Sequence, residues 1–180
     1  VFLAYLSNKQ NIHGPFLIAV PLSTIFHWER ETAEWTDLKT LSFFGNRERR
    51  VLIKKYEFFY PKTRIPKFDI LITTYDYILK ELRLLSEINW QVIIIDEAHR
   101  LKNHESKLNL AFNEIHTEFK LLLTGTPLQN STEELWSILN FLDPEKFQSL
   151  SEFQDAYGEL KDAEQINDLK NVLGKYMLRR

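Results

Sequence analysis

Two adjacent carboxylates follow directly on a run of branched apolar residues: Val92-Ile93-Ile94-Ile95 leads into Asp96-Glu97-Ala98-His99. A strand of that composition is buried on both faces. The two acids therefore leave the interior side by side, where desolvation and mutual repulsion oppose their ionisation unless a cation or donors offset both. A hydrated Mg²⁺ carried by a nucleotide polyphosphate does this, with Asp96 holding the metal and Glu97 polarising the attacking water, the Walker-B arrangement of nucleotide hydrolases. A bare D-E-x-H tetrapeptide carries little information; its place after a buried strand gives it meaning. In a second reading His99 and His104 join Asp96 at a transition metal, although no other cluster has metal-ligand spacing. His99 also reads as a polar coupler between clusters, and His13, His27 and His116 read as ordinary histidines.

Three further apolar runs end in polar clusters. Phe16-Leu17-Ile18-Ala19-Val20 is followed by Pro21-Leu22-Ser23-Thr24, and Asp69-Ile70-Leu71-Ile72 by Thr73-Thr74-Tyr75. Leu121-Leu122-Leu123 is followed by Thr124-Gly125-Thr126-Pro127-Leu128-Gln129-Asn130. None of the runs alternates polar with apolar, the mark of strands in a parallel sheet covered on both faces. In such a sheet the carboxyl ends of the strands share one edge, and ligands bind there. Helix caps and turns alone explain Ser23 or Thr24, but explain an Asp-Glu pair after three isoleucines much less well.

The elements that must position these residues follow from the same pattern. Leu41-Ser42-Phe43-Phe44 is a candidate fifth strand. Helix-length amphipathic stretches lie at 23–35, 46–59, 76–86 and 104–115, with Asn46 and Asn103 as N-caps for the second and fourth. Ser131-Thr132-Glu133-Glu134 has capping-box spacing ahead of Leu135-Trp136-Ser137-Ile138-Leu139, and two more helices are expected at 151–159 and 164–174. Trp28, Trp35, Trp90 and Trp136 read as packing residues. The alternation of strand and helix predicts an α/β fold with a mostly parallel sheet flanked by helices.

Composition narrows the class. The 180 residues contain 44% hydrophobic and 27% charged side chains, enough for a packed core. There is no cysteine, which excludes disulfide staples, thiolate zinc sites and cysteine nucleophiles, and fits a reducing, intracellular setting. No apolar run approaches the ~18–20 residues of a membrane span, so no membrane partner is expected. The net charge of −2 hides an asymmetry. Residues 39–67 carry Lys39, Arg47, Arg49, Arg50, Lys54, Lys55, Lys62, Arg64 and Lys67 against Glu48 and Glu57. Residues 151–170 carry six acids against Lys161 and Lys170. The acidic stretch reads as a solvated helix face; the basic one reads equally as a solvated face or a phosphate-contacting surface.

Taken together, Asp96-Glu97-Ala98-His99-Arg100-Leu101-Lys102-Asn103 and Leu123-Thr124-Gly125-Thr126-Pro127-Leu128-Gln129-Asn130 resemble the DEAH-box and third motifs of the SWI/SNF-related chromatin-remodelling ATPases, a branch of helicase superfamily two. Pro21-Leu22-Ser23-Thr24 with Trp28 and Glu29, and Ile72-Thr73-Thr74-Tyr75, resemble the family's DNA-facing motifs. Glu134 to Leu142 and Met177-Leu178-Arg179-Arg180 resemble the end of its first lobe. Within the family, Ile12-His13-Gly14-Pro15-Phe16-Leu17 and the closing Leu169-to-Arg180 stretch are most like the chromodomain-helicase-DNA-binding remodellers, in particular the kismet-like group.

The resemblance implies a RecA-like lobe that uses ATP and Mg²⁺, with Asp96 and Glu97 serving the metal and hydrolysis. His99, Thr124, Gly125, Thr126 and Gln129 would couple the nucleotide to DNA, and Ser23, Thr24, Thr73, Thr74, Lys102 and Asn103 would line the DNA backbone. Short hydroxyls suit that task because they bond phosphates without reading bases. The implied partners are double-stranded DNA, nucleosomes and chromatin-complex subunits, in the nucleus. No G-x-x-x-x-G-K-[ST] phosphate loop occurs in these residues: the glycines are Gly14, Gly45, Gly125, Gly158 and Gly174. With Val1–Leu6 reading as a helix already under way, the resemblance implies that residues 1–147 are part of the ATP-binding lobe, lacking its P-loop strand at the N-terminus. Residues 148–180 would then be a helical extension towards a second lobe. Such a piece would expose strand edges and would not hydrolyse ATP alone. A strand-separating helicase lobe and a catalytically inactive DNA- or protein-binding module remain the alternatives.

Overall fold

The computed structural model describes residues 1–125, 132–158 and 163–178. They form two compact units, Val1–Ala98 with Leu110–Gly125, and His99–Asn109 with Thr126–Arg180.

The first unit is built on five strands. Helix α1 (Phe2–Gln10) leads into β1 (Phe16–Val20), then a 3₁₀ turn at Leu22–Thr24 and α2 (Ile25–Trp35). After β2 (Thr40–Phe43) and α3 (Arg47–Tyr56) come β3 (Ile70–Thr74), α4 (Tyr75–Lys80), α5 (Leu82–Ser86) and β4 (Trp90–Ile95). A 3₁₀ turn at Ala98–Leu101 and α6 (Lys107–Asn113) lead to β5 (Thr117–Leu122). The sheet order is β2-β3-β1-β4-β5, and every pairing is parallel. The α/β expectation therefore holds, and a fully parallel sheet replaces a mostly parallel one.

β1 is the central strand, all five of its residues without exposed surface. Its Phe16, Ile18 and Val20 share a face with Ile70, Ile72, Val92 and Ile94, and Leu3, Ile25 and Phe44 pack on that face. The register places Val20 beside Thr74 and Ala19 beside Ile95, so the carboxyl ends of three strands lie level. At the other end Gly14 stands at φ +103°, and a Cβ there would lie 2.6 Å from the Asp69 carbonyl oxygen, the acceptor of the Phe16 N–H.

Several boundaries differ from expectation for local reasons. Asn46 caps α3, its side chain accepting the Arg49 N–H at 2.9 Å. Asn103 instead accepts the Glu105 N–H in a turn, and the Ser106 hydroxyl accepts the Asn109 N–H, so α6 starts at Lys107. The expected helix 76–86 is two helices, interrupted at Glu81, which leaves helical angles and turns its carboxylate to Lys54 at 3.0 Å and Arg50 at 3.7 Å. Thr73 and Thr74 belong to β3 rather than to the loop beyond it. β5 begins four residues before Leu121, because Thr117 to Lys120 pair through their backbone on an outer strand where Phe119 is exposed.

In the second unit α7 (Thr132–Leu142), α8 (Leu150–Tyr157) and α9 (Ala163–Leu173) enclose Trp136, Leu139, Phe147, Phe153 and Leu169. Ser131 lies outside the described residues, so the expected capping box is not described. Ser149 caps α8 by accepting the Glu152 N–H. The Tyr157 hydroxyl donates to Asp168 at 2.7 Å and joins α8 to α9. Among the described residues no helix is long and apolar enough to cross a membrane.

Two outcomes are expected. Gly14→Ala forces a side chain into a left-handed conformation against the Asp69 carbonyl, and should lower unfolding free energy by about 1–3 kcal/mol in denaturant titration. The bond to Asp168, then burial and the Asp168 charge, push the Tyr157 hydroxyl up to about 12 from 10.0. Because the folded value is raised, its stabilisation is complete below pH 10.0 and lost as pH rises towards about 12. Tyr157→Phe should flatten the pH dependence of thermal unfolding in that window.

Candidate functional site

The carboxyl edge of the sheet is assembled from strand exits whose backbone groups are tied to one another. β4 ends at Ile95, and the Asp96 N–H donates to the Ala19 carbonyl at 2.9 Å, anchoring the first acid to β1. The Asp96 carboxylate then accepts two donors. The indole N–H of Trp28, on α2, reaches Oδ2 at 3.0 Å, and the Glu97 N–H reaches Oδ1 at 3.0 Å. The Tyr75 hydroxyl, at the start of α4, donates to the Asp96 carbonyl oxygen. The N–H, the carbonyl and both carboxylate oxygens of this residue thus each have one named partner, which fixes the carboxylate's direction.

Glu97 stands at φ 51°, a left-handed conformation that costs a non-glycine residue about 1–3 kcal/mol. Beyond it the Ala98 N–H donates to the Leu123 carbonyl at 2.8 Å, while the Leu123 N–H donates back to Ile95 at 2.9 Å. Thr124 and Gly125 follow immediately and are exposed.

The same edge carries the turn after β1. Thr24 donates both its N–H and its hydroxyl to the Pro21 carbonyl at 3.1 Å, holding the 3₁₀ turn closed, and Ser23 is exposed. Thr73 differs. It has no exposed surface, and its hydroxyl donates to the Phe43 carbonyl at 2.8 Å, tying β3 to β2. Thr74 is also buried. The first unit thus brings together Ser23, Thr24, Asp96, Glu97, Thr124 and Gly125 at one edge, with Thr73 and Thr74 beneath its surface.

The remaining expected residues belong to the second unit, apart from Thr126 and Gln129, which lie outside the described residues. There the Lys102 ammonium pairs with Glu134 at 2.8 Å, so its charge is already engaged. Lys102 donates its N–H to the His99 carbonyl at 3.3 Å, and Asn103 is exposed. The Leu101 carbonyl accepts from both Ser137 at 2.9 Å and Asn109 at 3.2 Å, which ties this turn to α7. The His104 ring meets the Trp136 ring edge-on at 4.8 Å.

Among the described residues no three His, Cys, Asp or Glu side chains group as a metal site, which leaves the transition-metal reading without a ligand set. A magnesium ion has different needs. It keeps most of its waters and takes one or two carboxylates plus substrate phosphates. A carboxylate has about four lone-pair sites, so Asp96 retains acceptors after serving Trp28 and Glu97, and the donor set fits a water-mediated Mg²⁺. Of the basic stretch, Arg50 and Lys54 face Glu81, Arg64 pairs with Glu87 at 2.9 Å, and Lys67 donates to the Tyr56 carbonyl. Arg47, Arg49, Lys55 and Lys62 are exposed.

The family model of the SNF2-related domain matches residues 1–180. The chain belongs to this family. The SNF2-related domain here is 48% identical over 186 aligned residues to chromodomain-helicase-DNA-binding protein 8 of Homo sapiens, covering 99% of this chain and 7% of that protein. Chromodomain-helicase-DNA-binding protein 6 of Mus musculus is 46% identical with the same coverage. The chain therefore spans about 7% of the length of these relatives. Among solved structures, the Sulfolobus solfataricus SWI2/SNF2 ATPase core in complex with dsDNA superposes with a TM-score of 0.78 at 31% identity, over 97% of this chain and 35% of that one. The same organism's SWI2/SNF2 ATPase core domain gives 0.73 at 31% identity, over 98% of this chain and 35% of its own. The parallel sheet of this SNF2-related domain is thus the fold of that ATPase core.

The sequence places Trp28 among the packing residues and both Trp28 and Tyr75 in the segments that resemble DNA-facing motifs, without a contact to Asp96; in the structure both donate to it. Their legible signal is the polar tip of each ring: an indole N–H or phenol placed near a strand end needs a partner once half-buried. Thr73→Val keeps the side-chain shape and removes the donor to Phe43, and should cost about 1 kcal/mol of stability by chemical denaturation.

Proposed function

We propose that this chain is the ATP-binding part of a DNA translocase that remodels nucleosomes, in which Asp96 holds Mg²⁺ through water and Glu97 activates the water that attacks ATP. The observation that carries this reading is the fixed Asp96-Glu97 pair at the carboxyl edge of a parallel sheet, inside an SNF2-related domain. Magnesium would neutralise developing charge on the phosphates. Asp96 would orient the metal's water shell through the lone pairs that its two oxygens keep beyond the bonds from Trp28 and Glu97. Glu97, one residue beyond the strand and half-buried, would accept the proton of the attacking water.

Ser23 and Thr24 would present a hydroxyl and the amides of their turn to one DNA strand's phosphates, contacts that position without reading sequence. Thr73 and Thr74 would act from beneath, by holding the strand end that carries Tyr75. Lys102, with Asn103, would contribute to the DNA path once released from Glu134. His99, Thr124, Gly125, Thr126 and Gln129 would link nucleotide state to DNA. The DNA-complexed archaeal ATPase core and the chromodomain-helicase-DNA-binding relatives support double-stranded DNA, nucleosomes and chromatin-complex subunits as partners, and the nucleus as the location. We also propose residues 1–147 as part of the ATP-binding lobe and 148–180 as its helical extension towards a second lobe.

The test is phosphate release by the full-length protein with and without double-stranded DNA. A general base contributes about 10²–10⁴-fold, so Glu97→Gln should lower the DNA-stimulated rate by at least about 100-fold while nucleotide binding persists. An unchanged rate would overturn the reading. Residues 1–180 alone, which contain no G-x-x-x-x-G-K-[ST] phosphate loop, should release no more phosphate than their Glu97→Gln counterpart.

A further inference from the structure

The turn proposed to meet DNA and the strand end that lies beneath that edge each send an aromatic donor to the same residue. From the turn after β1, α2 begins at Ile25, and one helical turn later Trp28 places its indole N–H on Asp96 Oδ2 at 3.0 Å. From the end of β3, Tyr75 follows Thr74 directly and places its hydroxyl on the Asp96 carbonyl. One donor fixes the carboxylate and the other fixes the backbone that carries it.

We propose that Trp28 is a positioning residue that couples DNA contact at Ser23 and Thr24 to the hold of Asp96 on Mg²⁺. The inference rests on the reading of this edge as a magnesium–nucleotide site. The lever is short and stiff. Ile25 has no exposed surface and anchors the first turn of α2 in the core. Thr32 donates its hydroxyl to the carbonyls of Trp28 and Glu29 at 2.9 and 3.0 Å. A displacement of the Ser23–Thr24 turn is therefore carried along the helix to the indole. A carboxylate accepting a hydrogen bond at fixed angle presents its remaining lone pairs in a fixed direction, so moving the donor re-aims the oxygens offered to the metal's water shell. Tyr75 keeps the peptide behind Asp96 still, so the motion falls on the carboxylate.

Coupling of two ligands is reciprocal and typically about 5–150-fold in affinity. The experiment measures it in the full-length protein. Binding of a fluorescent non-hydrolysable ATP analogue is titrated with Mg²⁺, with and without double-stranded DNA. DNA binding is then titrated with and without the magnesium–analogue complex. In the wild type each ligand should tighten the other by at least about fivefold. Trp28→Phe keeps an aromatic ring and removes the N–H; both ligands should still bind separately, with the mutual effect falling below about twofold. Trp28→His carries an N–H at the same ring position, two bonds from the first ring atom, and should restore most of the coupling. A role in packing alone would weaken each ligand separately and leave the ratio intact.

An unchanged ratio in Trp28→Phe overturns the proposal, as does equal loss in Trp28→His, or a wild type with no mutual effect. Failure of the wild type to bind the analogue in a magnesium-dependent way overturns the underlying reading of the site instead. Should Trp28→Phe lose its cooperative melt, hydrogen exchange of the wild type decides. Adding the magnesium–analogue complex should slow exchange of the amides of Ile25–Trp35, and unaltered exchange there overturns the proposal.

Discussion

The burial of β1 between β3 and β4 is the constraint on which everything else rests. A strand with no exposed residue and two parallel neighbours cannot slip by one residue without turning its apolar side chains to the wrong layer. Its register fixes where β3 and β4 end, and the exits of all three strands therefore stand level. The bond from Asp96 to Ala19 is the last rung of that ladder, and it delivers the first carboxylate to a position set by the core.

From that rung the edge is built by donors reaching inward from neighbouring helices. The indole of Trp28 and the phenol of Tyr75 both bury an apolar ring against the sheet and spend their polar tips on Asp96. A single residue thus joins the packing of α2 and α4 to the chemistry at the end of β4. Thr73 does comparable work between β2 and β3, where its hydroxyl closes onto Phe43. Chemistry at the surface and cohesion beneath it use neighbouring residues of the same segments, which is why a short hydroxyl near a strand end is not by itself a ligand contact.

The central strands were legible because double burial demands continuous apolar runs, and Phe16–Val20 and Val92–Ile95 have them. Asp96 and Glu97 were legible because acids are costly after such a run. The start of β5 was hidden, since Thr117, Glu118 and Lys120 lie on an outer strand and obey backbone pairing rather than burial. The break at Glu81 was hidden as well: it coincides with contacts to Lys54 and Arg50, 27 and 31 positions away. Asn103 and Ser106 are both competent caps, and only the folded turn decides between them. Trp28 was read as packing because local pattern shows a ring's apolar bulk and not the partner of its N–H, which lies 68 residues further along the chain.

The left-handed conformation of Glu97 reaches further than its own strain. Just beyond the turn it makes, the Ala98 N–H meets the Leu123 carbonyl, and the Leu123 N–H bonds the Ile95 carbonyl. The two exits are thereby clasped by a pair of backbone bonds through Leu123, which any substitution other than proline leaves available. Sequence drift in either loop would change what the edge touches, but the clasp would persist as long as the backbone keeps its path. The geometry linking the Asp-Glu turn to the segment after β5 is thus inherited through the main chain, independent of the residues that give each loop its chemistry.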